Sequence, residues 1–135
     1  MVLIPRQQLN GISFPDCEVA TFELSATRLE CRLDGVHLDR QGMVFAPVCV
    51  TVSSWNQVCI ERFDTNGANP MELDLAESGG LREICEWTNT DGVLKFAGFE
   101  RETGWWQRYC FMDAEIQVWI EDLKERLKQQ KQTES

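Results

Sequence analysis

The single histidine, His37, lies three residues after Asp34 and two before Asp39. Imidazole and carboxylate are both metal ligands and both proton carriers. Asp34, His37 and Asp39 are therefore the residues from which a mononuclear centre or an acid–base pair would be built. The same spacing is that of an ordinary charged turn, and this is the preferred reading. One histidine excludes a zinc site made of histidines alone. Asp64-Thr65-Asn66-Gly67-Ala68-Asn69 has the composition of a calcium loop. An EF-hand, however, needs glycine at its sixth position and a bidentate acid at its twelfth. Counted from Asp64, these are Asn69 and Leu75, so a plain loop is expected. No metal and no cofactor is assigned.

The thiols are the other potentially reactive groups: Cys17, Cys31, Cys49, Cys59, Cys85 and Cys110. They sit in apolar, strand-like stretches, and none forms a Cys-x-x-Cys pair or a zinc-finger spacing. They read as reduced thiols packed as small hydrophobes. The first ten residues have no signal-peptide core, since Val2, Leu3 and Ile4 are the whole apolar run. A reducing, cytoplasmic setting is expected. No apolar run is long enough to span a bilayer.

Phosphate-binding glycine loops, a dinucleotide fingerprint and a nucleophile elbow are all missing. No catalytic residue is assigned. An enzyme would have to rest on His37 with Asp34 or Asp39, or on a thiol such as Cys110, which leaves a small hydrolase of unassigned substrate as one alternative.

The residues best suited to recognition are aromatic and acidic. In a strand, Trp105 and Trp106 must point to opposite faces, with Tyr109 and Phe111 on the side of Trp105. Glu61, Asp64, Glu72, Asp74, Glu77, Glu83 and Glu86 crowd the middle of the chain and would form one acidic face if their strands were adjacent. The candidate binding set is Trp105, Trp106, Tyr109, Glu72, Asp74, Glu83 and Glu86. Formal net charge is −9. Residues 121–135 balance four basic groups against four acidic ones, so residues 1–120 carry the whole excess. Such a surface repels nucleic acid and anionic membranes and favours a protein partner with a basic surface. Oligomeric state is left open.

The elements that must position these residues follow from periodicity. Residues 1–16 read as irregular, with Pro5, Asn10-Gly11 and Pro15 as punctuation. Residues 17–111 read as strands at short spacing. Arg28–Leu33 alternates cleanly, and Asp91-Gly92 marks a tight hairpin. Pro47 interrupts an apolar run from Met43 to Val52 and signals an edge or a bulge. In Leu81–Thr88, alternation sets Leu81, Cys85 and Trp87 on one face against Arg82, Ile84 and Glu86. After Phe111 the period changes. Asp113 can cap a helix over residues 113–128, with Ile116, Trp119, Ile120, Leu123 and Leu127 as its apolar stripe. Residues 129–135 should fray. The expectation is one α+β domain over 1–135: a meander, sandwich or barrel-like antiparallel sheet of about eight strands, covered by a C-terminal helix.

Phe14-Pro15-Asp16-Cys17-Glu18-Val19, followed by two alternating strands, resembles the opening of small β-rich bacterial immunity-type proteins, which share a Phe-x-Asp-x-Glu-Val start. The resemblance implies a non-enzymatic protein that neutralises a partner toxin. Charge, missing motifs and resemblance together give the leading expectation, an acidic binding protein for a basic partner. A β-barrel-like cup for a small apolar molecule is the second alternative.

Overall fold

The computed structural model describes residues 1–64 and 69–121. Among these, thirteen strands and one short 3-10 helix, Arg6–Gly11, make up the regular structure. In chain order the strands are β1 (Val2–Leu3), β2 (Ile12–Ser13), β3 (Cys17–Leu24), β4 (Arg28–Leu33), β5 (Val36–Leu38), β6 (Gly42–Val44), β7 (Val48–Ser53), β8 (Gln57–Phe63), β9 (Pro70–Leu73), β10 (Leu81–Thr90), β11 (Val93–Glu100), β12 (Trp106–Met112) and β13 (Glu115–Ile120).

Ten of them form a continuous antiparallel sheet in the order β1-β13-β7-β4-β3-β10-β11-β12-β8-β9. Strand β3 is where this sheet divides. Its first residues, Cys17 and Glu18, pair with Ile84 and Glu83 of β10, whereas Val19–Leu24 pair with β4. This leaves a first sheet from β1 to β3 and a second from β3 to β9. Their inner faces share one core. Leu29, Cys31, Val50, Val52 and Val118 come from the first, and Ile60, Ile84, Phe96, Tyr109 and Phe111 from the second. A separate three-stranded sheet, β2-β5-β6, adds Ile12 and Val36 to that core.

Between the two sheets lies a column of rings. Phe96 stacks on Trp87 (5.5 Å between centroids), Tyr109 (5.1 Å) and Phe111 (5.9 Å). Phe22 reaches across from the first sheet to Phe96 and Tyr109, and Phe14 packs edge-on against Trp87. Offset and edge-on rings of this kind add roughly 0.5–1.5 kcal/mol per pair beyond their buried area.

Several turns obey their sequence signals. Asp91 and Gly92 both have positive φ, 54° and 75°, as a tight primed hairpin requires, and Thr90 pairs with Val93 across it. Pro47 ends the pairing of one sheet before the next begins: β6 belongs to the small sheet and β7 to the large one. Without an N–H, proline cannot continue the ladder.

The expected C-terminal helix is overturned. Residues 115–120 are strand β13, paired on one side with β7 from Glu115–Ser53 to Ile120–Val48 and on the other with β1. The α+β class therefore gives way to an almost entirely antiparallel β structure among the described residues. Asp113 does not cap a helix. It takes a left-handed φ of 56°, its carboxylate accepts a hydrogen bond from Asn56 Nδ2 (2.8 Å), and it turns the chain from the second sheet to the first. The physical reason is period two. Val118 is fully buried between the half-buried Ile116 and Ile120, and a helical stripe through Ile116, Trp119 and Ile120 leaves Val118 out. Three β-branched residues at alternating positions favour the pleated state. Leu123, Leu127 and residues 129–135 lie outside the described residues.

The expected faces of β10 are also corrected. Register shifts between Leu81 and Glu83, and between Ile84 and Glu86, interrupt the alternation. Each bulge adds a residue, so Leu81, Ile84 and Trp87, at spacing three, all turn inward. Gly98 lies opposite this irregular stretch. A Cβ there would land on the carbonyl oxygen of Glu83, so the bulged strand can approach only a glycine.

Candidate functional site

The outer face of the second sheet gathers most of the candidate binding residues. On β12, Gln107, Tyr109 and Phe111 are buried, which turns Trp106, Arg108, Cys110 and Met112 outward. The registers then define rows across the face. One row runs Glu86, Ala97, Arg108, Glu61 and Glu72 over β10, β11, β12, β8 and β9. The row on one side runs Glu18, Glu83, Phe99 and Trp106. The row on the other runs Thr88, Lys95, Cys110 and Cys59.

The aromatic part of this face is tightly arranged. Phe99 and Trp106 meet edge-to-face, 5.4 Å between centroids at 82°. The Arg82 guanidinium lies 5.7 Å from the Phe99 ring centre, and that of Arg108 lies 5.0 Å from the Phe63 ring centre. Both distances are within cation–π range. Arg108 also pairs with Glu61 at 3.5 Å. Glu72 and Glu86 close the row at its two ends, both exposed. The outer face of the first sheet differs. It presents Arg28, Glu30 and Arg32, with Glu30 3.5 Å and 3.6 Å from the two guanidinium groups, and beside them Thr51 and Gln117.

Trp106, Glu72, Glu83 and Glu86 thus share one face as the acidic-face reading requires. Trp105 lies just before β12, at the rim, and is 38% exposed. Asp74 is in the loop after β9, where its carboxylate accepts a hydrogen bond from the Glu77 amide (2.8 Å). Tyr109 cannot anchor a partner, because it is fully buried. Its hydroxyl accepts from Gln107 Nε2 (2.6 Å) and faces the carbonyl of Ser78, and burial pushes its pKa up to about 12. Phe99, Phe63, Arg82 and Arg108 were not singled out from the sequence. Alternation alone marks Phe99 as facing away from Phe96, but only strand pairing brings it to Trp106.

Tyr109 belongs to a buried polar network that holds the loop before β10. Arg62 donates from Nε to Gln107 Oε1 (2.8 Å), and Gln107 donates to the Ser78 carbonyl. Glu100, 3% exposed, accepts from the amides of Glu102 (3.0 Å) and Thr103 (2.6 Å) and from the Thr103 hydroxyl (2.7 Å). Arg62 approaches it to 3.9 Å. Burial works against the Glu100 charge. The Thr103 donors, Arg62 and the Glu102 amide outweigh it and hold the carboxyl below its ordinary range. Its hydrogen bonds to Glu102 and Thr103 all fall on Oε2, while Oε1 faces Arg62, and the buried carboxylate holds the turn after β11.

Asp34, His37 and Asp39 are not among the groups of side chains that converge closely enough to hold a metal. Asp34 Oδ1 accepts from the Glu18 amide (3.0 Å), and His37 lies on β5 between Ser13 and Met43. Among the described residues, the cluster able to hold a metal is Asp16, Glu83 and Cys85, whose ligand atoms lie within 4.8 Å of one another. Burial first, then hydrogen bonding to Asp16 and the Glu83 charge, push the Cys85 thiol up to about 12, so it is neutral at pH 7. Two clefts, about 420 Å³ and 660 Å³, flank the 3-10 helix. Leu9, Asn10 and Asn89 line one, and Ile12, Leu38 and Arg40 the other, away from the outer face.

Three of the thiols, Cys17, Cys31 and Cys49, are buried, while Cys59, Cys85 and Cys110 are half-buried. Among the described residues, no helix is long and apolar enough to cross a membrane. No known protein family, curated protein or solved structure matches this chain.

Proposed function

We propose that this chain is a non-enzymatic binding protein that engages a basic partner protein through the outer face of its second sheet. The observation that carries the reading is the pairing of two adjacent rows. An aromatic pair, Phe99 and Trp106, stands beside a row that ends in Glu72 and Glu86. Aromatic anchors set among charges are the usual centres of binding energy, and a complementary field speeds encounter. A partner rich in Lys and Arg would place cations on Glu72, Glu83 and Glu86 and bury apolar surface on Trp106. A toxin of the kind neutralised by immunity-type proteins is the partner class that the Phe14–Val19 segment suggests.

The cup reading has less support, since stacked rings occupy the space between the sheets that such a ligand would need. An enzyme built on His37 has less still, because Asp34 is engaged by a backbone amide.

The test is capture from a lysate of the native host, with the wild type and a Trp106→Ala, Glu86→Lys variant as parallel baits at low and moderate salt. The reading predicts one basic protein, recovered in stoichiometric amount by the wild type, weakened by salt and lost with the variant. Equal recovery on both baits, or an acidic protein on either, would refute it.

A further inference from the structure

Two of the outward thiols are direct cross-strand neighbours. Cys110 of β12 is in register with Cys59 of β8, and both are half-buried on the outer face. The peptide parity of β12 is set at its two ends. Glu100 N–H donates to Trp105 O, and Asp113 N–H donates to Gly92 O, so odd-numbered residues turn their peptides toward β11. Even-numbered residues, Cys110 included, bond to β8. Cys59 and Cys110 are therefore a hydrogen-bonded pair, for which Cα atoms lie about 5.5 Å apart. This falls inside the span of about 4.4–6.8 Å that a disulfide bridges. Their Cβ atoms rise from the same face, and because a hydrogen-bonded pair holds its side chains farther apart than a non-hydrogen-bonded one, closing the bridge strains it and leaves it readily reduced. The other neighbouring pair differs. Cys31 is in register with Val50 and points inward, while Cys49, opposite Arg32, points outward. Those two thiols lie on opposite sides of their sheet.

We propose that Cys59 and Cys110 are a dithiol redox site, oxidised to a cross-strand disulfide by a small-molecule disulfide such as oxidised glutathione. One thiolate attacks the glutathione disulfide, forms a protein–glutathione mixed disulfide and releases one glutathione thiol. The second cysteine displaces the other glutathione and closes the protein S–S bond. Two electrons pass from the two cysteines to glutathione, and the two thiol protons end on the two released glutathiones. Cys59 faces Glu61 and Glu72 along with Cys110 and Arg108, while Lys95 lies opposite Cys110. Burial, then the Glu61 and Glu72 charges, push the Cys59 thiol up against the pull of Arg108, so oxidation is slow at neutral pH and quickens as pH rises. Cys17 and Cys31, buried and pushed up to about 11 and about 12, compete poorly.

The bridge would lie in the row beside the one that ends in Glu72 and Glu86, at the border of the face proposed for the partner, but its formation is read on the free protein and does not depend on that reading. The experiment is incubation of the whole chain with oxidised glutathione at neutral and mildly alkaline pH, trapping of free thiols, and non-reducing peptide mapping by mass spectrometry. The expected product is a Cys59–Cys110 linked peptide that has lost two hydrogens, forms faster at the higher pH and reopens with a dithiol reductant. It should vanish in Cys59→Ser and Cys110→Ser and persist in Cys49→Ser and Cys85→Ser. Stable glutathione adducts on Cys59 and Cys110 of the wild type, or a different dominant disulfide, would overturn the proposal.

Discussion

Phe99 and Trp106 face each other across β11 and β12 on the outside of the sheet, edge to face at 5.4 Å. A pair of large rings that is half-buried without being part of the core is poorly explained by packing. Its removal should separate stability from recognition. Trp106→Ala is expected to cost about 1 kcal/mol in folding, the scale of an exposed aromatic pair. It should cost about 2 kcal/mol in partner binding, roughly thirtyfold in Kd. Urea unfolding and calorimetric titration read the two quantities. A folding loss that exceeds the binding loss would return the pair to a packing role.

Glu100→Gln removes a carboxylate that faces the largely buried Arg62 guanidinium at 3.9 Å. Leaving a buried charge without its partner costs about 3 kcal/mol. The sign with pH follows from the depressed folded-state value. The Glu100 charge adds stability above its ordinary value of 4.5 and loses it as pH falls through the lower folded value. The stability gap between wild type and variant should be full at neutral pH and shrink in acid. A gap that widens in acid, seen in urea melts from pH 7 downward, would contradict this account of the network.

Gly98→Ala tests the bulge on β10. The added methyl meets the Glu83 carbonyl, which belongs to backbone and cannot swing aside. Strain of about 3 kcal/mol is expected, the upper range for overpacking, with the Leu81–Glu86 stretch losing amide protection first. Unchanged protection there would mean that the two strands are not held so closely.

Val118→Ala distinguishes a strand from a helix at the C-terminal end of the described chain. Val118 is fully buried, while its neighbour Gln117 is exposed. The core substitution should cost about 2 kcal/mol. Gln117→Ala should change stability by about 0.5 kcal/mol or less. A helical stripe through Ile116, Trp119 and Ile120 would predict little effect at Val118.

What could be read from sequence was set by local rules. Arg28–Leu33 alternates, and Asp91-Gly92 turns, because pleat and hairpin geometry act over a few residues. The bulges in β10 were not legible, because they depend on the partner strand, and Leu81, Ile84 and Trp87 face inward only through them. Residues 116–120 carry both periods at once. Ile116, Trp119 and Ile120 fit a helix, Ile116, Val118 and Ile120 fit a strand, and pairing with β7 favours the strand. Of the candidate residues chosen by type and spacing, Glu72, Glu83, Glu86 and Trp106 lie on one face. Tyr109 was drawn in by its type, and parity alone, once the core face was known, removes it. Phe99, Phe63 and Arg108 join the face only through strand order.

The most direct test is the association rate of the captured partner with two double variants of equal charge change. Glu72→Lys with Glu86→Lys alters the ends of the row on the second sheet. Glu23→Lys with Glu115→Lys alters exposed positions on the first. At low salt the first variant should associate about tenfold more slowly than wild type, and the second within about twofold, with the difference collapsing as salt screens both. Equal slowing by the two variants would show that net charge alone governs encounter and would contradict the placement of the interface on this face.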